Sequence, residues 1–178
     1  MTFTMKKLFG IVLIVLAIAA CNSTADPPPT AAEVYERDLL AIDEYLAANN
    51  ITAQVHQSGV RYVIKTQGSG PMPTYQNCVR VRYTGLFLND TTTFDSNQDT
   101  GRKFAMVNIV AGMEIVLKMM SVGAKADIYA PSVLGYGPSG RPDGAGGYII
   151  PPNAVLVFKD VELMQIYDYN NLGGYCYE

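Results

Sequence analysis

The sequence predicts an α+β fold: an antiparallel sheet with one short helix inside the sheet region and a second helix ahead of it. Three observations carry this. Strand-like stretches recur from residue 51 onward without the long alternating helices that a parallel sheet needs. The stretch "CVRVRYTGLFL" alternates clearly, with Val79, Val81 and Tyr83 on one face and Arg80 and Arg82 on the other, wet one. The stretch "AGMEIVLKMM" has helical spacing, which puts Met113, Val116, Leu117 and Met120 on one side, a stripe that reads as core. A chain of 178 residues suggests one domain with an appendage, and 49% hydrophobic against 16% charged residues is enough for a globular core.

The N-terminus comes first in chain order. Lys6 and Lys7 precede an uncharged run of 13 residues, Leu8 to Ala20, which is short for a membrane span and right for a secretory signal core. The small residues before Cys21 ("AIAAC") resemble a bacterial lipoprotein signal. That resemblance implies a signal over residues 1–20 and an acylated Cys21, palmitate included, as the mature N-terminus. It also implies a lipid-anchored protein of the bacterial cell envelope, on the periplasmic side of the outer membrane. An ordinary cleaved signal and a single-span anchor are the other two readings. Several acyl chains matter, because one alone holds a protein only marginally. Without Lys6 and Lys7 the chain keeps 11 basic residues against 16 acidic ones, net −5, a surface unsuited to nucleic acid.

Residues 21–30, with "NSTADPPPT", read as a polar, proline-rich lipid tether. Residues 31–50 read as a helix, with Val34, Leu39, Ile42 and Leu46 on one face and Glu33, Glu36, Asp43 and Glu44 between them. Acidic residues suit its first turn, and Asn49-Asn50 stops it. The simpler reading is a helix packed on the domain; the sharper one is a dimer through residues 31–48. "ITAQV" and "VRYVIKT" then flank "HQSG" as a hairpin. "NDTTTFDSNQDTGRK" is expected as polar, turn-rich chain apart from Phe94, "FAMVNIV" as a short strand, "AKADIYAP" as another and "AVLVFKDVELMQI" as the last. Before that last strand, residues 135–147 hold six glycines and two prolines. Only 20 residues follow Phe158, too few for a second domain, so this stretch is a loop within one domain. Loops of that kind are usually functional.

Cys78 and Cys176 lie 98 positions apart, and an oxidising compartment would permit their pairing; Cys78, opening a strand, reads more simply as a small buried hydrophobe. His56, the only histidine, sits in a polar turn, and no CxxC is present. A zinc site and a Ser-His-Asp hydrolase are therefore excluded, and no metal or cofactor is expected.

The set "VRVRYTGLFL…FDSN…AGMEIVLKMMSVGAKADIYAPSVLGYGPSG…IIPPNAVLVFKDVEL", from about Asn77 to Ile166, resembles the FK506-binding (FKBP) family of peptidyl-prolyl isomerases. The resemblance implies a sheet curled around one short helix over residues 51–168, with residues 169–178 as a tail. Between sheet and helix would lie an apolar pocket for a proline ring, and the glycine-rich loop would be its flap. Tyr83, Phe94, Asp95 and Tyr136 would be catalytic. Phe104, Ile109, Val110, Met113, Ile150 and Phe158 would bind substrate, with Ile149 at the rim. Proline-containing unfolded or nascent envelope proteins would be the partners. Macrolides of the FK506 type would bind weakly, because Met113 stands where the family often has tryptophan. A non-catalytic chaperone or binding module on the same fold is the alternative. "LVFKDVEL" carries one residue more than the family's usual pattern, so Phe158 and Val161 can both face inward only across a bulge near Lys159-Asp160.

Overall fold

A computed structural model describes residues 27–90, 92–168 and Cys176. Helix α1 (Ala31–Ala48) begins at a capping box. The Glu33 N–H donates to Thr30 Oγ1 at 3.3 Å, and the Thr30 N–H donates back to Glu33 Oε2 at 2.7 Å, so two otherwise orphaned donors are satisfied reciprocally. Asn49 closes the other end, its side-chain amide donating to the Tyr45 carbonyl at 2.8 Å. The buried face is Val34, Asp38, Ile42 and Leu46. Asp38 replaces the expected Leu39, which is only half-buried. A carboxylate tolerates this burial because its oxygens accept from the Ser132 N–H at 2.9 Å, the Ser132 hydroxyl, and Arg37 Nη2 at 3.0 Å.

The remaining elements are β1 (Gln54–Val55), β2 (Arg61–Thr66), β3 (Asn77–Phe87), β4 (Thr93–Ala105), α2 (Ala111–Leu117), β5 (Lys125–Ala130), β6 (Arg141–Pro142), β7 (Tyr148–Ile150) and β8 (Leu156–Asp168). Six strands form one sheet in the order β1-β2-β5-β8-β3-β4, every pair antiparallel, while β6 and β7 pair separately within the flap. Two expectations are corrected. The polar stretch after β3 is the edge strand β4, registered on β3 from Cys78↔Ala105 to Leu86↔Thr93. Its polarity reflects an edge that faces water along much of its length, not a loop. The expected strand "FAMVNIV" ends at Ala105, and Met106–Asn108 is a 3-10 turn that leads the chain off the sheet toward α2.

The inner face of the sheet contributes Val79, Val81, Ile128, Phe158, Val161 and Leu163, which pack against Met113, Val116 and Leu117 of α2. The outer face contributes Leu88, Tyr129 and Val157, which pack against Ile42 and Leu46 of α1. Strand β5 is therefore buried on both faces at Ile128 and Tyr129, and its buried residues are apolar except for Asp127. In β8 the bulge is present: the pairing registers to β3 and to β5 shift here, and Asp160 adopts φ +51°. Asp127, on β5, accepts the Asp160 N–H at 2.9 Å and Lys159 Nζ at 3.0 Å.

Cys78 and Cys176 are joined in a disulfide, with Cα atoms 5.6 Å apart. The simpler reading of Cys78 as an unpaired hydrophobe is thereby corrected: it is buried and bonded, and Cys176 is fixed to the start of β3; the rest of the expected tail, residues 169–175 and 177–178, lies outside the described residues. Cys21, the signal and the first part of the tether lie outside the described residues. Among the described residues no helix is long and apolar enough to cross a membrane.

Candidate active site

A cavity of about 150 Å³ opens between the inner face of the sheet, the start of α2 and the flap. An apolar hollow of ~150 Å³ holds a benzene ring, so a pyrrolidine ring is within its capacity. Its apolar lining is Phe94, Phe104, Ile109, Val110, Met113 and Phe158. The aromatic rings interlock by their edges: Phe94 and Phe158 lie 6.0 Å apart at 81°, Tyr83 and Phe158 6.3 Å apart at 69°. Gly85 makes room for this cluster, since a Cβ there would lie 2.6 Å from the Phe94 ring. Met113 is 3% exposed and closes the hollow from α2.

The polar lining is Tyr83, Asp95, Arg102, Asn108, Tyr136 and Arg141. Tyr83 donates its hydroxyl to Asp95 Oδ2 at 2.6 Å, and Arg102 Nη1 donates to the same oxygen at 2.8 Å and to the Tyr83 oxygen at 3.2 Å. Burial, reinforced by the Asp95 carboxylate, pushes the Tyr83 phenol well above its usual value, so it stays a protonated donor. Burial works against the Arg102 charge, but Tyr83 and Asp95 more than offset it and keep the guanidinium ionised. Asp95 is thus held by two neighbours of its own chain. Besides the Arg141 guanidinium, two neutral donors at the cavity have no acceptor among the described residues: the Tyr136 hydroxyl and the Val110 backbone N–H, which sits one residue ahead of α2. The arrangement offers apolar walls, two free neutral hydrogen-bond donors and the Arg141 guanidinium.

Tyr83, Phe94, Asp95 and Tyr136 all meet at this cavity, as do Phe104, Ile109, Val110, Met113 and Phe158. Ile149 and Ile150 do not line it. Ile150 is 1% exposed and packs into the core beneath the flap, and Ile149, its neighbour on β7, turns outward at 39% exposure. Sequence reasoning missed Arg102 and Asn108, and Arg141 lies within the glycine-rich stretch 135–147 that it read as the flap. Between Val81↔Arg102 and Tyr83↔Asn97 strand β4 takes up residues 98–101 in a register shift, which brings Arg102 back within reach of Asp95.

An antiparallel sheet closed by one short helix over an aromatic hollow with room for a single ring is the arrangement that comparison with known proteins identifies. The sequence model of the FKBP-type peptidyl-prolyl cis-trans isomerases matches residues 70–164, and the chain belongs to that family. It is 41% identical over 128 residues to the FKBP-type peptidyl-prolyl cis-trans isomerase FkpA of Aeromonas hydrophila, covering 70% of this chain and 45% of that protein. It is 34% identical over 121 residues to the outer membrane protein MIP of Legionella longbeachae, covering 66% and 49%. The crystal structure of a peptidyl-prolyl cis-trans isomerase from Pseudomonas syringae superposes with TM-score 0.61 at 28% identity, covering 79% of this chain and 97% of that one. The chain spans about half the length of the first two relatives.

Proposed function

We propose that this chain is a peptidyl-prolyl cis-trans isomerase acting on X–Pro bonds of envelope proteins as they fold. An X–Pro amide crosses between its isomers over a barrier of ~18–20 kcal/mol, taking tens to hundreds of seconds unaided. That barrier is lost resonance, so the twisted amide is less dipolar than either planar form. A water-poor cavity walled by Phe94, Phe104, Val110, Met113 and Phe158 disfavours the planar amide more than the twisted one. This is differential binding without a covalent step. In this reading the Tyr136 hydroxyl and the Val110 N–H hold substrate carbonyls, while Asp95 and Arg102 keep Tyr83 in place beneath the ring. The observation that carries the reading is the coincidence of an aromatic hollow the size of one ring with two unengaged donors at its edge.

The wider assignment follows the same reading. Residues 1–20 are a signal, 21–30 a tether lipidated at Cys21, 31–50 a helix, 51–168 the isomerase domain and 169–178 a tail. The protein is then lipid-anchored at the periplasmic side of the outer membrane. The outer membrane protein MIP of Legionella longbeachae, to which this chain is similar, supports an envelope location, and the Cys78–Cys176 disulfide supports an oxidising compartment. Helix α1 serves as a packing element, with its apolar face on the sheet.

Refolding of a protein whose slow phase is an X–Pro isomerisation tests this reading. Substoichiometric amounts of the purified protein are expected to accelerate that phase. An unchanged slow phase, with only aggregation suppressed, would transfer the assignment to a non-catalytic chaperone.

A further inference from the structure

We propose that Arg141 makes this cavity select X–Pro segments in which a carboxylate flanks the proline. The inference rests on the isomerase reading and adds a substrate class to it.

Arg141 lines the cavity, its side chain is exposed, and it has no acceptor among the described residues. Asp95, the carboxylate in the lining, is taken up by its own neighbours, and Asp143, two residues along the flap, keeps its charge but does not line the cavity. Asp95 Oδ2 accepts Tyr83 at 2.6 Å and Arg102 at 2.8 Å. Asp143 Oδ1 accepts the N–H groups of Ala145 at 2.7 Å and Gly147 at 2.9 Å, folding the flap tip onto itself. Arg102 is matched by Asp95, so the residues lining the cavity carry one unmatched positive charge, that of Arg141, on a chain of net charge −3.

The position of that charge is built into the backbone. Gly140 adopts φ +60°, and a Cβ there would lie 2.5 Å from the Ile150 carbonyl and 2.8 Å from the Pro152 nitrogen. The chain before Arg141 therefore rests on the base of the flap. Pro142 fixes φ on the other side and holds the residue before it extended. Arg141 itself pairs with Ile150, so it belongs to the rigid stem of the flap rather than to its tip. A guanidinium keeps its charge at any physiological pH and presents a fork that fits a carboxylate. Because the side chain is exposed, the preference is modest and sensitive to salt, about two- to fivefold at low ionic strength.

The test uses N-acylated, C-amidated peptides with Glu, Gln or Lys on either side of an X–Pro bond, turned over by the wild-type protein and by Arg141→Gln. At low salt the wild type is expected to favour Glu over Lys about two- to fivefold in kcat/KM in one of the two placements. High salt should flatten the ratio, Arg141→Lys should keep it, and Arg141→Gln should abolish it. Each ratio is internal to one protein, so it does not depend on that variant's overall turnover. A peptide with neutral flanks and a free C-terminal carboxylate separates chain-end recognition from side-chain recognition. Equal turnover of the Glu and Lys peptides by the wild type, or an unchanged ratio in Arg141→Gln, overturns the proposal. If no peptide is turned over, the isomerase reading fails; the same comparison is then made in peptide binding, where equal affinities overturn this proposal.

Discussion

Phe158 and Val161 lie three positions apart on β8, yet both face the interior, at 3% and 0% exposure. Period-two alternation would send them to opposite faces. The extra residue is absorbed at Asp160, whose φ of +51° marks the bulge, and whose N–H is received by Asp127. The bulge brings Phe158 to the cavity while Val161 remains in the core. An irregularity in one strand thus supplies one wall of the candidate site.

Asp160 is the position where this can be tested locally. Glycine adopts the left-handed region without cost, and the exposed Asp160–Lys65 pair is worth little. Asp160→Gly should therefore stay within about 1 kcal/mol of wild type in denaturant unfolding. Asp160→Val should lose about 1–2 kcal/mol, because a β-branched side chain is strained there.

Asp127 should make stability sensitive to acid. Burial pushes its carboxyl up, but Lys65, the Asp160 N–H and Lys159 outweigh burial and hold it below its ordinary value of 3.8. A group depressed in the folded state contributes fully above its unfolded value and loses that contribution as pH falls through the folded one. The gap in unfolding free energy between wild type and Asp127→Asn should therefore be constant near neutral pH, at about 1–3 kcal/mol, and close progressively as pH drops below 3.8. A gap that persists in strong acid would contradict this.

The disulfide closes a span of 98 residues. Its reduction, or Cys176→Ser, should cost about 2–4 kcal/mol. Chemical unfolding with and without reductant measures this, and the reductant should have no further effect on the Cys176→Ser variant.

Asp38 links α1 to Ser132, four residues before Tyr136. Asp38→Ala orphans the Ser132 donors and should destabilise the fold by about 1–3 kcal/mol. If α1 also positions the loop carrying Tyr136, the combined effect of Asp38→Ala and Tyr136→Phe on kcat/KM should fall short of the product of the two. Full multiplicativity would confine Asp38 to stability.

Much of this was legible in the sequence wherever burial and backbone period agree. The alternation of β3, the helical spacing of α2 and the surplus residue in "LVFKDVEL" each map onto an observed feature. Legibility failed where side-chain chemistry masks position. Strand β4 is polar because it is an edge, so Arg102, carried by it, was not brought to the cavity. Asp38 is buried because a turn 94 residues away supplies its donors, a partner no local pattern announces. Ile149 and Ile150 fell on the expected element, but β7 alternates one outward and packs the other into the core.

The central claim is that the aromatic hollow speeds X–Pro rotation, and cis/trans exchange in a short neutral X–Pro peptide, followed by NMR, measures it most directly. Wild type should accelerate exchange, Tyr136→Phe should retain most of the acceleration with a loss of about two- to tenfold, and Phe94→Ala, shown to be folded, should lose more. Exchange as fast with Phe94→Ala as with wild type, or no acceleration by either, would contradict the account.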